Sequence, residues 1–338
     1  MKPFDLGQIR LDVLEFCERL LDPGEPYGAY RIAPGGVRDL YASCDVALMR
    51  VIMGEDFSET LSEPQRREWC DYINSFADPD GSYRERKGHS TLHANGMVIG
   101  ALGPLGGKQA YPVQLYSDFD TPETLGPWLT SLDWEKAWST SHAFWGGVHC
   151  FSFSARATPA WLDAAFQWLD TNLDSDTGWW CRGVPHQDRH QGLGGAAHFL
   201  PLYEHHGRVF PQPRAVIDSV LGMQLPEGTW LTPGKHPRVA SYLELDALYA
   251  LVLMQRYSPG YRWSEIQDAV RRYGATVREY YAHHAQELYA MHPHEVLAAV
   301  GVFGGLQQLL PNEFTDSVAW TDIFSDRRLY LTREVEVF

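Results

Sequence analysis

Asp174-Ser-Asp-Thr-Gly-Trp-Trp180 reads as a turn that ends one helix and prepares another. Acidic or Pro-rich residues open such a turn, glycine permits a positive φ, and an aromatic ring follows within two residues. The same order recurs at Asp78-Pro-Asp-Gly-Ser-Tyr83 and at Gln224-Leu-Pro-Glu-Gly-Thr-Trp230. In each case the ring is expected to pack back over the end of the preceding helix. Three occurrences in one chain define a repeat, so the chain is read as stacked supersecondary units.

Each turn leads into a segment rich in Gly and Ala, at 89–102, 190–201 and 240–251. Three further segments resemble them, at 39–49, 142–151 and 292–303. Glycine and alanine let helices approach closely, which offsets the helix propensity that glycine costs. Between them lie amphipathic stretches with apolar residues at three- and four-residue spacing, such as 63–76, 159–173, 213–224 and 263–283. Pro64, Pro122, Pro159 and Pro213 sit near helix starts, where the missing N–H is harmless. With a helix around 9–21, the pattern predicts six small-residue helices alternating with six amphipathic ones. The expected fold is all-α: one domain over 1–338, an (α/α)6 toroid of inner and outer helices. The tail 327–338 alternates apolar and polar residues and is expected to be short and extended. Residues 106–132 are long enough between helices to form a flap.

The Gly-aromatic turn followed by a small-residue helix resembles the repeats of squalene cyclase and protein prenyltransferase β-subunit toroids. The stretch 224–230 looks like their Gln-then-Gly-x-Trp element. The six-pair pattern is also similar to six-hairpin glycosidases, sugar 2-epimerases and the toroids of polysaccharide lyases. The resemblance implies the fold over most of the chain and leaves the reaction open. The chain lacks the Asp-x-Asp-Asp acid motif of class II terpene cyclases, the nearest stretch being Glu244-Leu-Asp246. It also lacks a matching Asp, Cys and His zinc set.

Twenty-eight Lys and Arg against 43 Asp and Glu give a net charge of −15, which argues against nucleic acid and anionic membranes as partners. Aromatic residues make up 13% of the chain, which fits an aromatic-lined cavity or rings wedged between helices. Cys17, Cys44, Cys70, Cys150 and Cys181 are scattered and form no CxxC pair, so neither a disulfide framework nor a structural zinc site is expected. The opening segment does not read as a signal peptide, and no apolar run approaches a membrane span. A cytoplasmic location is the expectation.

In such a ring the starts of the inner helices line the cavity mouth. Those starts hold Asp39, Tyr41 and Asp45; His89, His93 and Asn95; His142, Trp145 and His149; Asp188, His190 and His198; Tyr242, Glu244 and Asp246; and His292, His294 and Glu295. His89 and His93, His142 and His149, and His190 and His198 are spaced to share helix faces. The catalytic candidates are His93, His190, His294, Asp45, Glu244, Asp246 and Glu295. The others are candidate substrate-binding groups, with Trp145 as a stacking platform.

A sugar substrate fits this mixture of polar side chains and flat rings. Glycoside hydrolysis needs two carboxyl groups, one of them protonated. Epimerisation or β-elimination at a uronic acid needs a base and a proton donor, roles suited to histidine and tyrosine. The leading expectation is therefore a carbohydrate-active hydrolase, lyase or epimerase that uses no cofactor and no metal. Three other readings stand beside it: an isoprenoid cyclase-like enzyme with cation–π stabilisation, a metal-dependent hydrolase, and a non-catalytic small-molecule-binding protein. No HExxH signature favours the metal reading.

Overall fold

The computed structural model describes residues 2–83, 89–231 and 239–330. In chain order its helices are α1 (Leu6–Leu20), α2 (Leu40–Ile52), α3 (Phe57–Thr60), α4 (Glu63–Asn74), α5 (Thr91–Leu105), α6 (Pro122–Ser131) and α7 (Ala137–Phe144). They continue as α8 (Pro159–Asn172), α9 (Gln191–His205), α10 (Pro213–Met223), α11 (Tyr242–Tyr257), α12 (Trp263–Leu288) and α13 (Pro293–Leu309). The strands among the described residues, β1 (Phe4–Asp5) and β2 (Phe314–Thr315), form one short parallel pair. The all-α expectation is met, and all twelve anticipated helices are present.

The two helix types differ in burial as their composition predicts. Every residue of α2 is buried, whereas amphipathic α4 buries only Trp69, Cys70 and Ile73. Two glycines show why small residues are needed. A Cβ at Gly96 would lie 2.5 Å from the Trp145 ring, and one at Gly301 would lie 2.8 Å from Leu245. Both distances are shorter than van der Waals contact allows, so larger side chains would push the helices apart.

The repeated turn works as a latch. Trp180 donates its indole N–H to the Leu169 carbonyl of α8 at 2.9 Å, and Trp230 does the same to Val220 of α10 at 2.8 Å. The Tyr83 hydroxyl donates to Asn74 at the end of α4 at 2.9 Å. Each ring is buried, and each polar tip ties off the helix before it. Gly81, Gly178 and Gly228 all take positive φ within these turns.

The chain divides into two compact units. The first comprises Met1–Asp56 and Pro213–Asp326; the second comprises Phe57–Gln212 and Arg327–Phe338. In the first, α13 packs on both α2 and α11, with α10 and α12 alongside. In the second, α7 packs on both α5 and α9, α4 backs α5, and α6 lies on α8. Each unit thus has a small-residue helix between two others of its kind.

Two local expectations are corrected. The tail begins as a 3-10 turn, Arg327–Leu329, that packs on α5, rather than as an extended arm; its remainder, 331–338, lies outside the described residues. The stretch anticipated as a flap is anchored: Val113, Tyr116 and Phe119 are buried, and Trp161 donates to the Phe119 carbonyl at 2.7 Å. No helix among the described residues is long and apolar enough to cross a membrane, and all five cysteines are unpaired.

Candidate functional site

Helix α7 does not end in a cap. It runs directly into a π turn, Trp145–His149, which carries Gly146 and Gly147. A Cβ at Gly146 would overlap the Leu92 carbonyl oxygen of α5, so only glycine permits this approach. A π turn inserts one residue into the helix and shifts the register beyond it. His142 and His149, which α-helical spacing would put on one face, therefore enter different clusters.

The first cluster holds His89, His93, His142 and His198. His89 precedes the Ser90 N-cap of α5, so it is a loop residue rather than a member of the helix face it was expected to share. It still reaches His93, with Nδ1 to Nδ1 at 3.1 Å. The His89 and His142 rings are parallel within 4°, with centroids 5.3 Å apart, and His93 lies 4.3 and 4.7 Å from them. One nitrogen from each of these three residues falls within 4.8 Å of the others. His93 is buried, while His89 and His142 are half-buried. His198 packs edge-on against His142 at 5.0 Å, and Trp145 lies against His93 at 5.5 Å. The His198 Nδ1 lies 2.9 Å from the Gly194 carbonyl, which fixes Nδ1 as the protonated nitrogen. Burial pulls its pKa down to about 4.

The second cluster was not read from the sequence. His149 Nε2 and His205 Nδ1 are 3.0 Å apart beneath the Tyr330 ring, whose hydroxyl accepts from the Trp145 indole at 3.0 Å. Burial holds His149 neutral, well below the usual imidazole value. Tyr330 carries no pattern that would have marked it, and His205 sits at the far end of α9.

In the first unit, His294 near the start of α13 places Nδ1 2.8 Å from an oxygen of Asp45 on α2. Both side chains are buried. The Tyr242 hydroxyl of α11 lies 3.2 Å from the same nitrogen and donates to the His294 carbonyl at 2.8 Å. Tyr41 packs edge-on against the imidazole at 5.6 Å. Three helices thus fix one ring. The geometry puts the Nδ1 proton on the Asp45 side and the lone pair on Nε2.

The other carboxylates are placed differently. Glu244 accepts from the backbone N–H of Trp230 and of Leu231, at 3.0 and 3.1 Å, tying the latch to α11. Its burial raises the pKa to about 7. Asp246 is wholly buried, its two oxygens have no hydrogen-bond partner among the described residues, and burial raises its pKa well above the usual value. Glu295 and His292 form a capping box at the start of α13. Asp39 caps α2. Asp188 accepts from the backbone of His190, the N-cap residue of α9, and faces its ring at 3.5 Å. Asn95 is held by Tyr116, Gly146 and Gln109 at 2.6–2.7 Å, which makes it a packing hub.

Against family models, curated proteins and solved structures, the chain gives no match.

Proposed function

We propose that the chain is an acid/base enzyme of the epimerase or lyase kind, acting on a polar small molecule of carbohydrate type. The observation that carries this reading is the buried Asp45–His294 pair at 2.8 Å. A carboxylate on Nδ1 orients the imidazole and stabilises its protonated form, leaving Nε2 as the base. Tyr242 and Tyr41 hold the ring in place; Tyr41 is fully buried, and half-buried Tyr242 is the ring of the two that could meet a sugar face. Two-carboxylate hydrolysis fits less well. Of the carboxylates on these helices, Glu244 is engaged by the latch, Glu295 by a helix cap and Asp45 by His294, and Asp246 is sealed from solvent.

The six-and-six helix alternation and the latch turns support the (α/α)6 reading. A polar sugar substrate and a cytoplasmic location complete the proposal.

The test is a thermal-shift screen with uronic acids, oligosaccharides and isoprenoid diphosphates, followed by turnover assays on any stabilising sugar. His294→Gln should lower kcat by about 100-fold or more, as loss of a general base does. Asp45→Asn should also lower kcat, because the amide favours the wrong tautomer. Stabilisation by an isoprenoid diphosphate and by no sugar would sink the proposal, as would full activity in His294→Gln.

A further inference from the structure

We propose that His89, His93 and His142 bind one divalent transition-metal ion of the zinc class, in the second unit and independently of the Asp45–His294 pair. Three ring nitrogens within 4.8 Å of one another form a ligand set rather than a scattered polar surface. The spacing is informative. Two ligands about 2.0–2.1 Å from a tetrahedral ion lie about 3.3 Å apart. His89 Nδ1 and His93 Nδ1 lie 3.1 Å apart. Two imidazole nitrogens at that distance repel unless a proton or a cation lies between them, and His142 supplies a third nitrogen within 4.8 Å of the others.

The surroundings favour the cation. Ser90 Oγ accepts the His93 backbone amide at 3.1 Å, Trp145 backs the His93 ring and His198 backs His142, so the three rings are packed close together and small side-chain shifts bring them onto one ion. Half-burial of His89 and His142 gives a route in from solvent. An all-imidazole set selects zinc, cobalt, nickel or copper over magnesium or calcium, which prefer oxygen. Three neutral ligands leave the ion its full charge and a fourth position. That is the arrangement of sites that bind water, hydroxide or an anionic ligand group, as opposed to closed structural sites. The chemical class of ligand for the fourth position is therefore an oxygen anion, hydroxide or carboxylate.

The experiment uses the full chain, dialysed against chelator and then titrated with Zn²⁺ by calorimetry and with Co²⁺ by visible absorption. One ion per chain is expected, with the absorption of a low-coordinate nitrogen site and a rise in melting temperature on loading. His89→Gln and His142→Gln should each weaken binding by about 100-fold or more, since even a supporting residue of a metal site costs 10- to 100-fold. Their circular dichroism should match that of the unsubstituted chain. His89 lies outside helix α5, so its variant remains informative if a helix variant misfolds. Exposed His284→Gln should change nothing. Absence of saturable Zn²⁺ binding at micromolar concentration overturns the proposal and leaves a shared proton between His89 and His93. Unchanged affinity in both His89→Gln and His142→Gln overturns it as well, because the ion then sits elsewhere.

Discussion

Asp246 carries a burial cost that depends on pH. A carboxyl with no hydrogen-bond partner among the described residues, wholly buried, is held in its neutral form. Glu244 behaves in the same way with a readable size: a rise from 4.5 to about 7 corresponds to roughly 3 kcal/mol, little of it screened because the side chain is buried. The direction follows from proton counting. Between the unfolded and folded values the native chain keeps a proton that the unfolded chain has lost, so stability falls as pH rises through that window. Asp246→Asn supplies a permanently neutral side chain of the same shape. Urea unfolding should show the advantage of Asp246→Asn over the natural chain growing from about pH 4 upward, as the unfolded carboxyl ionises and the buried one does not; an advantage that does not change with pH would mean that Asp246 ionises without penalty. The buried histidines push the other way. His198, lowered to about 4 from 6.5, takes stability from the fold as pH falls through that interval.

The latch turns carry the argument at the level of elements. Trp180 and Trp230 each lose one indole hydrogen bond and part of a buried ring when replaced by phenylalanine. Each substitution should cost about 1–3 kcal/mol in denaturant unfolding. The two costs should be alike because the local structures repeat. Trp263→Phe, at a ring 36% exposed, should stay within about 0.5 kcal/mol. These latches were legible in the sequence because the turn chemistry is local: acid, glycine and aromatic ring lie within a few residues. The burial of α2 was legible for the same kind of reason, in its composition. The grouping of the histidines was not. Helical spacing sorted them by face, but His89 precedes its helix and a π turn intervenes before His149. That turn depends on how close α5 comes to Gly146, a tertiary fact with no signature in the segment itself. The part-buried bidentate pair of Arg50 with Glu55, at 2.6 and 2.7 Å, likewise has no signature in the spacing along the chain.

Charge is the property that belongs to the whole molecule. An excess of 15 negative charges repels itself in the compact state, and salt relieves that repulsion within a Debye length of about 10 Å at 0.1 M. The melting temperature should therefore rise between 10 and 150 mM sodium chloride. A fall would mean that local ion pairs such as Arg10–Asp316, at 2.7 Å, outweigh the net repulsion. The same charge raises the local concentration of cations around the chain. The alternation of six amphipathic and six small-residue helices was also legible at this scale; the one-turn helix α3 was not.

The single added residue in the helix that begins at Ala137 has a consequence for descent and for design. Each residue of an α-helix advances the direction of its side chain by about 100°. Excising Gly147 would let the helix run on with ordinary geometry and turn His149 away from His205 by about that angle. His142, upstream of the excision, would keep its place beside His93. Chain length at this one point, more than the chemical identity of any residue, decides whether the histidines on this helix serve one centre or two. A one-codon deletion there is a sharper instrument for separating the two centres than any side-chain replacement.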